Sequence, residues 1–391
     1  MKIHRSTFTA FGLVVAGVVT LAGCSAADAG PEEDVPVTYL DTADGSCANP
    51  PRADIDFEAA KSLVESFQNP VTGIHQTEPL PEPLDPDTLV VFANIDTAVA
   101  AGFWQPKIEE ALDLAGVKFQ NVSVGTSAES QHAGFNTIVE LRPDILLMGA
   151  IDPVFVQDQL AELQANGTVM VAAAHPVVSD YGLDDSFNGD GASRVNGRLL
   201  AAGAIYFTCG TATEFVFYNP PELGFAAIQV EAAQEYLAQI APEATLRVVD
   251  ISIVDPAPAD KIVSDLQANP QTAFFVTPGD QFQIALAPAA ELTGIANAKG
   301  FGQNSLPPNY EQIANGEQSA GFAMDFRVFA YGMVDEGFRK LQGVFTPYDD
   351  WEAINRTISG VITTQNVNNF PNGAFVAYED VAKDYAALWH R

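Results

Sequence analysis

Leu89-Val90-Val91-Phe92-Ala93 leads through a polar turn into Trp104–Ala115 and then Phe119–Val124. The first run is short and apolar throughout, as a strand covered on both faces is. The second has the period of an amphipathic helix, and the third is again a strand. A strand, a helix and a strand of these lengths make a βαβ unit, and βαβ units build a parallel sheet.

The same alternation continues outward. A helix is expected over Ala128–Leu141, a strand over Ile145–Met148, a helix over Val154–Asn166 and a strand over Val169–Ala173. It then repeats. Helices at Ala192–Phe207, Phe225–Ile240, Ala259–Ala268 and Gln281–Leu292 alternate with strands at Glu214–Tyr218, Leu246–Ile251, Ala273–Val276 and one ending near Phe301. Two successive sets of four strands predict two similar α/β lobes. Strand Gln318–Met324, helix Phe326–Leu341, strand Thr357–Thr364 and an appendix ending in Tyr385-Ala-Ala-Leu-Trp389 complete the chain.

Upstream of Leu89 the pattern changes. Pro79-Leu-Pro-Glu-Pro-Leu-Asp-Pro86 admits neither helix nor central strand and reads as a stiff lead-in. Before it, Phe57–Phe67 is a two-faced helical preface. Lys2, His4 and Arg5 precede an apolar run, Phe8–Ala22, that ends in Leu21-Ala22-Gly23-Cys24. This has the layout of a secretory signal, and its last four residues resemble the bacterial lipobox. Residues 1–23 are therefore expected to be removed and Cys24 to carry lipid. Ser25 to about Val35 has no apolar period and reads as a solvated tether. The expected location is the extracytoplasmic face of the cell membrane, held by the lipid alone.

Fifty acidic residues against 18 basic ones leave a net charge of −32. Nucleic-acid phosphates would be repelled, whereas a solubilising exterior fits. With Cys24 lipidated, Cys47 and Cys209 remain. They form a disulfide in an oxidising compartment, or Cys209 stays a buried thiol; the sequence leaves both open. No Cys/His cluster has zinc-site spacing, and neither a metal nor a cofactor is expected.

In open parallel sheets, ligands bind beyond the carboxyl ends of the strands. Those loops carry Phe103 and Trp104, Asp152, His175, Asp280, Asn304 and Asp325. Phe103 and Trp104 offer a ring face for stacking, and the others offer hydrogen bonds. A catalytic reading would pair Asp152 with His175 and use Ser186 as nucleophile. No Gly-x-Ser-x-Gly elbow, Walker loop or strand-borne Gly-x-Gly-x-x-Gly supports an enzyme.

Val91-Phe-Ala-Asn-Ile95 with Gly102-Phe-Trp104, Pro143-Asp-Ile-Leu-Leu-Met-Gly149 with Asp152, Gly300-Phe-Gly302 and the stretch Ser319–Gly343 together resemble the type I periplasmic binding proteins of the ribose- and galactose-binding kind. The resemblance covers roughly Leu89 to Thr364. It implies two doubly wound parallel-sheet lobes joined by three crossovers, near Asp190, Asp325 and Thr357. It also implies an ABC permease with its ATPase as partner. Phe103 and Trp104 fall on that family's stacking positions, Asp152 on a polar contact, and His175 where sugar binders often place an arginine. Gly279, Gly302 and Met324 stand where an asparagine, an aspartate and a glutamine are usual, and Asn219–Phe225 lacks an arginine. These departures point away from a simple hexose or pentose toward a more apolar or aromatic solute.

The expected domains are a signal peptide (1–23), a tether and helical preface (24–87), a first lobe (88–189 with 325–356), and a second lobe with tail (190–324 with 357–391). The expected function is a monomeric solute-binding lipoprotein that captures a small organic ligand, sugar-like or more apolar, and delivers it to the permease. The alternative is a receptor of the same fold feeding a membrane sensor kinase or chemoreceptor. Regulators of the lactose-repressor type share such lobes but need a DNA-binding helix-turn-helix and a cytoplasmic address.

Overall fold

A computed structural model describes residues 36–391 except 42, 70, 72, 98, 99, 176, 177, 296 and 297. The expected signal peptide and Cys24 lie outside the described residues. After α1 (Phe57–Ser66), the first lobe runs β1 (Leu89–Asn94), α2 (Gln105–Ala115), β2 (Lys118–Ser123), α3 (Ala128–Leu141), β3 (Ile145–Gly149), α4 (Gln157–Ala165) and β4 (Val169–Ala173). Its four strands pair in parallel in the order β2-β1-β3-β4. Alternate residues of β1 supply both faces. Val90 and Phe92 join the core beneath α2, and Val91 and Ala93 join the core beneath α3 and α4.

The second lobe runs α5 (Asp190–Phe207), β5 (Glu214–Asn219), α6 (Gly224–Ile240), β6 (Thr245–Asp250), α7 (Pro258–Ala268), β7 (Phe274–Thr277), α8 (Leu286–Thr293), β8 (Gly300–Gln303), α9 (Pro307–Ala314) and β9 (Ala320–Met324). The chain then crosses into α10 (Phe326–Leu341), which packs on β3, β4 and α2 of the first lobe. It returns through α11 (Trp351–Ile358) to β10 (Ser359–Ile362). The second sheet has the order β10-β9-β8-β7-β5-β6, parallel except for β10. Both sheets and the three crossovers match the expected fold class.

Two short helices escape the periodicity reading. One, α9, opens on Pro307 and Pro308, and proline in the first helical turn sacrifices no hydrogen bond. The other, α11, is a two-turn helix capped by Asp350, whose side chain accepts from Ala353 N. The helix expected over Gln281–Leu292 divides at Ala285, whose φ is +64°.

The tail requires a correction. Residues 357–391 were expected on the second lobe, but α12 (Val381–Leu388) packs on α2 and α10. Tyr385, Leu388 and Trp389 lie at helical spacing and complete the first lobe's core. The Trp389 indole donates to the buried Asp335 carboxylate at 2.8 Å, and Leu80 N donates to Leu388 O at 2.9 Å. The proline-rich lead-in therefore straps the same lobe, with Leu80 and Leu84 in its core. At the other end, α1 packs on α5 and α6 of the second lobe. Cys47 and Cys209 are disulfide-bonded, which tethers that N-terminal segment to the end of α5.

Candidate functional site

At the carboxyl end of β1, a wide helical turn (Ala100–Trp104) feeds directly into α2, with Pro106 in that helix's first turn. The turn places two aromatic rings differently. Phe103 is half-buried, with its ring 5.3 Å from that of Phe326. Trp104 is only 9 % exposed and packs against Phe329 at 5.2 Å. Its indole Nε1 is buried and has no hydrogen-bond partner among the described residues. Phe326 and Phe329 open α10, directly after a crossover, so the rings of the two segments meet beside the joint between the lobes.

Asp152 follows β3, and its carboxylate accepts from Val154 N at 2.9 Å, capping a short turn. His175 follows β4, and its Nε2 lies 3.7 Å from Asp152 Oδ1. The fold thus brings these two expected residues together. In the second lobe, Asn304 leaves β8 with φ +59°, and its buried side-chain oxygen has no partner among the described residues.

Two expected contacts must be corrected. Asp280 is fully buried and accepts from Ser305 Oγ and Gln283 Nε2. A Cβ at Gly302 or Gly321 would lie 2.2 or 2.8 Å from its oxygens, so these strand glycines make room for it. Burial pushes its carboxyl well above the usual range. Asp325 is 1 % exposed. It caps α10, pairs with Arg327 at 2.8 Å and accepts from Ala377 N at 3.0 Å. Both carboxylates are occupied inside the protein and offer no surface to a ligand.

The residues that the loop reading missed are apolar. Phe225 begins α6 of the second lobe but is buried in the first lobe's core cluster, with Leu223 packed against it. Phe187, just before α5, contacts Phe329 with ring centroids 5.9 Å apart. A signal for Phe225 exists: Gly224-Phe225 follows the first strand of the second lobe, as Gly102-Phe103 follows the first strand of the first.

A chain of amides joins the crossovers. Gln229 Nε2 donates to Gln303 Oε1 at 2.7 Å, and Gln303 Nε2 donates to Asn188 Oδ1 at 3.2 Å. Asn196 Nδ2 donates to the same oxygen at 3.1 Å, and Asn355 Nδ2 donates to Asn196 Oδ1 at 2.9 Å. Asn188 precedes α5 and Asn355 lies in α11, so buried polar groups connect two of the crossover segments. Among the described residues, no three His, Cys, Asp or Glu side chains gather as metal ligands would, and no helix is long and apolar enough to cross a membrane.

A family model described as a periplasmic binding protein domain matches residues 90–344. No curated protein sequence matches the chain. Among solved structures, the fold resembles an ABC transporter solute-binding protein from Agrobacterium vitis with bound allitol, at 16% identity and TM-score 0.61. The match covers 73% of this chain and 99% of that one. A Burkholderia graminis solute-binding protein in complex with D-arabinose gives 15% identity and 0.60, over 73% and 99% of the two chains. A carbohydrate transporter protein from Acidothermus cellulolyticus in complex with myo-inositol gives 17% and 0.58, over 78% and 100%. At these identities the likeness establishes the fold.

Proposed function

The chain belongs to the periplasmic binding protein domain family, and from that premise we propose that it captures a small organic solute between its lobes and delivers it to an ABC permease. The observation that carries this reading is Phe225. A residue at the carboxyl end of a second-lobe strand is buried in the aromatic cluster at the carboxyl ends of the first lobe. Strand ends are where this architecture receives ligands.

In this reading Phe103 stacks on the solute, with Trp104 behind it as support. Asp152 and His175 hydrogen-bond one edge, and Asn304 reaches it from the second lobe. The ligand favours the closed arrangement because it touches both lobes at once, and closure turns about the three crossovers. The relatives above were crystallised with allitol, D-arabinose and myo-inositol. Here Asp280 and Asp325 are withdrawn from the surface, and an unmet hydroxyl costs ~1–3 kcal/mol. A neutral, ring-bearing solute with few hydroxyls therefore fits better than a simple sugar. Energy for transport comes from the partner ATPase. Lipid on Cys24 would hold the protein at the extracytoplasmic membrane face, beside the permease.

The test is a thermal-shift screen of the chain from Pro36 against polyols, monosaccharides, nucleosides and aromatic acids, followed by calorimetry on each hit. One class should raise the melting temperature and bind one-to-one. Chemical turnover of the bound compound would replace this reading with an enzymatic one.

A further inference from the structure

A cavity lies at the outer edge of the second sheet, lined by Ser359, which pairs with Met324 at the end of β9, and by Ala377, whose N–H donates to Asp325. It has a volume of about 570 Å³, within the ~300–1,000 Å³ range of small-molecule sites. Its back is the outer edge of β10, where Val361 N donates to Phe67 O at 2.9 Å. Its wall is aromatic: Phe370 and Phe375 pack with ring centroids 5.2 Å apart. Phe375 is fixed against the strand, because a Cβ at Gly360 would lie 2.5 Å from its ring.

Arg356, in the last turn of α11, lines this cavity and is half-buried. Among the described residues no carboxylate lies within ion-pair distance of it, although Glu379, which is exposed, lines the same space. The other arginines that are not fully exposed (Arg52, Arg194, Arg198, Arg247, Arg327 and Arg339) each have an acidic partner. In a chain with 50 acidic residues and 18 basic ones, an unpaired, half-buried guanidinium is conspicuous. The amides of Gln68, Asn369 and Asn372 also line the space, and none makes a side-chain hydrogen bond within the described protein.

We propose that this cavity is a second ligand site, separate from the interlobe site, for a hydroxylated organic carboxylate of sugar-acid size. The planar fork of Arg356 matches a carboxylate with two parallel hydrogen bonds. The three amides supply donors and acceptors to hydroxyls, and Phe370 and Phe375 give a ring or carbon chain an apolar face. A bare inorganic anion would leave that wall unused.

D-glucuronate and neutral D-glucose are the probes, titrated by calorimetry into the chain from Pro36, its Arg356→Gln variant and its Phe103→Ala variant. Glucuronate should bind at least tenfold more tightly than glucose. Arg356→Gln should weaken it at least tenfold, with an unchanged melting temperature, since Arg356 holds no protein partner. Phe103→Ala should leave it unchanged, which separates this site from the interlobe one. Equal binding by the Arg356→Gln protein, loss in the Phe103→Ala protein, or no binding of glucuronate by the unaltered chain would each overturn the assignment.

Discussion

The ring of Trp104 approaches Gly149 so closely that a Cβ at position 149 would lie 2.3 Å from Trp104 Cζ3. Gly149 ends β3, and its lack of a side chain lets the indole cover the sheet's carboxyl edge. The close fit makes Trp104 part of the packing, and it leaves Phe103, next in the chain but half-buried, as the ring with free surface.

The two aromatic residues should therefore separate in mutagenesis. Trp104→Ala should destabilise the protein by about 3–5 kcal/mol, as deleting a large buried ring does. Phe103→Ala should leave stability within about 1–2 kcal/mol of the parent. It should weaken solute binding at least tenfold, a loss of ~1.4 kcal/mol. Denaturant unfolding and calorimetry on both variants decide. The reverse pattern would make Trp104 the stacking residue and Phe103 mere packing.

Cys24→Ala should release the protein from membranes or leave its precursor uncleaved. Fractionation of cells followed by mass determination reads this directly. Normal processing and membrane retention in the variant would exclude a lipid on that residue.

The bond between Cys47 and Cys209 spans a sequence separation of 162 residues, with Cα atoms 5.7 Å apart. The loop-closure argument assigns such a cross-link ~5 kcal/mol of stabilisation. It anchors a segment that is otherwise held by bonds such as Leu40 N to Phe207 O, at 3.0 Å. Peptide mapping without reductant should recover the two cysteines as one linked pair, and Cys47→Ala should lower the denaturation midpoint. Two thiols that alkylate in the folded protein would show that the bond does not form.

His75 gives a pH signature. Its ring lies 5.5 Å from those of Phe187 and Tyr348, and neither nitrogen has a hydrogen-bond partner among the described residues. Burial, helped by the charge of Arg339, lowers its pKa to about 4. In the unfolded chain it titrates near 6.5. The fold thus prefers the neutral ring. The resulting stability is complete above about pH 6.5 and is lost as pH falls toward about 4, by roughly 3 kcal/mol at most. Relative to His75→Phe, the parent should lose stability on going from about pH 7 to about pH 4. Denaturant unfolding at both pH values measures this, and a gap that does not change with pH would contradict it.

Sequence alone determined the alternation of strands and helices, because the central strands are covered on both faces and helices such as α2 and α7 on one. Those coverings write apolar runs and 3.6-residue periods directly into the chain. It also located the loops that hold Phe103, Asp152, His175 and Asn304, since strand ends follow from strand boundaries. Tertiary structure decided which of these groups remain available. Asp280 and Asp325 sit at the right loop positions, yet burial and internal partners consume both, and a loop position does not encode depth. It also decided that Phe225 reaches across to the other lobe and that Tyr385, Leu388 and Trp389 close the first lobe from the far end of the chain. Trp389, for example, packs on Tyr331 and Phe338, more than fifty positions away. Local period carries no information about such partners, which are chosen by whichever apolar face is left uncovered when the sheets have formed.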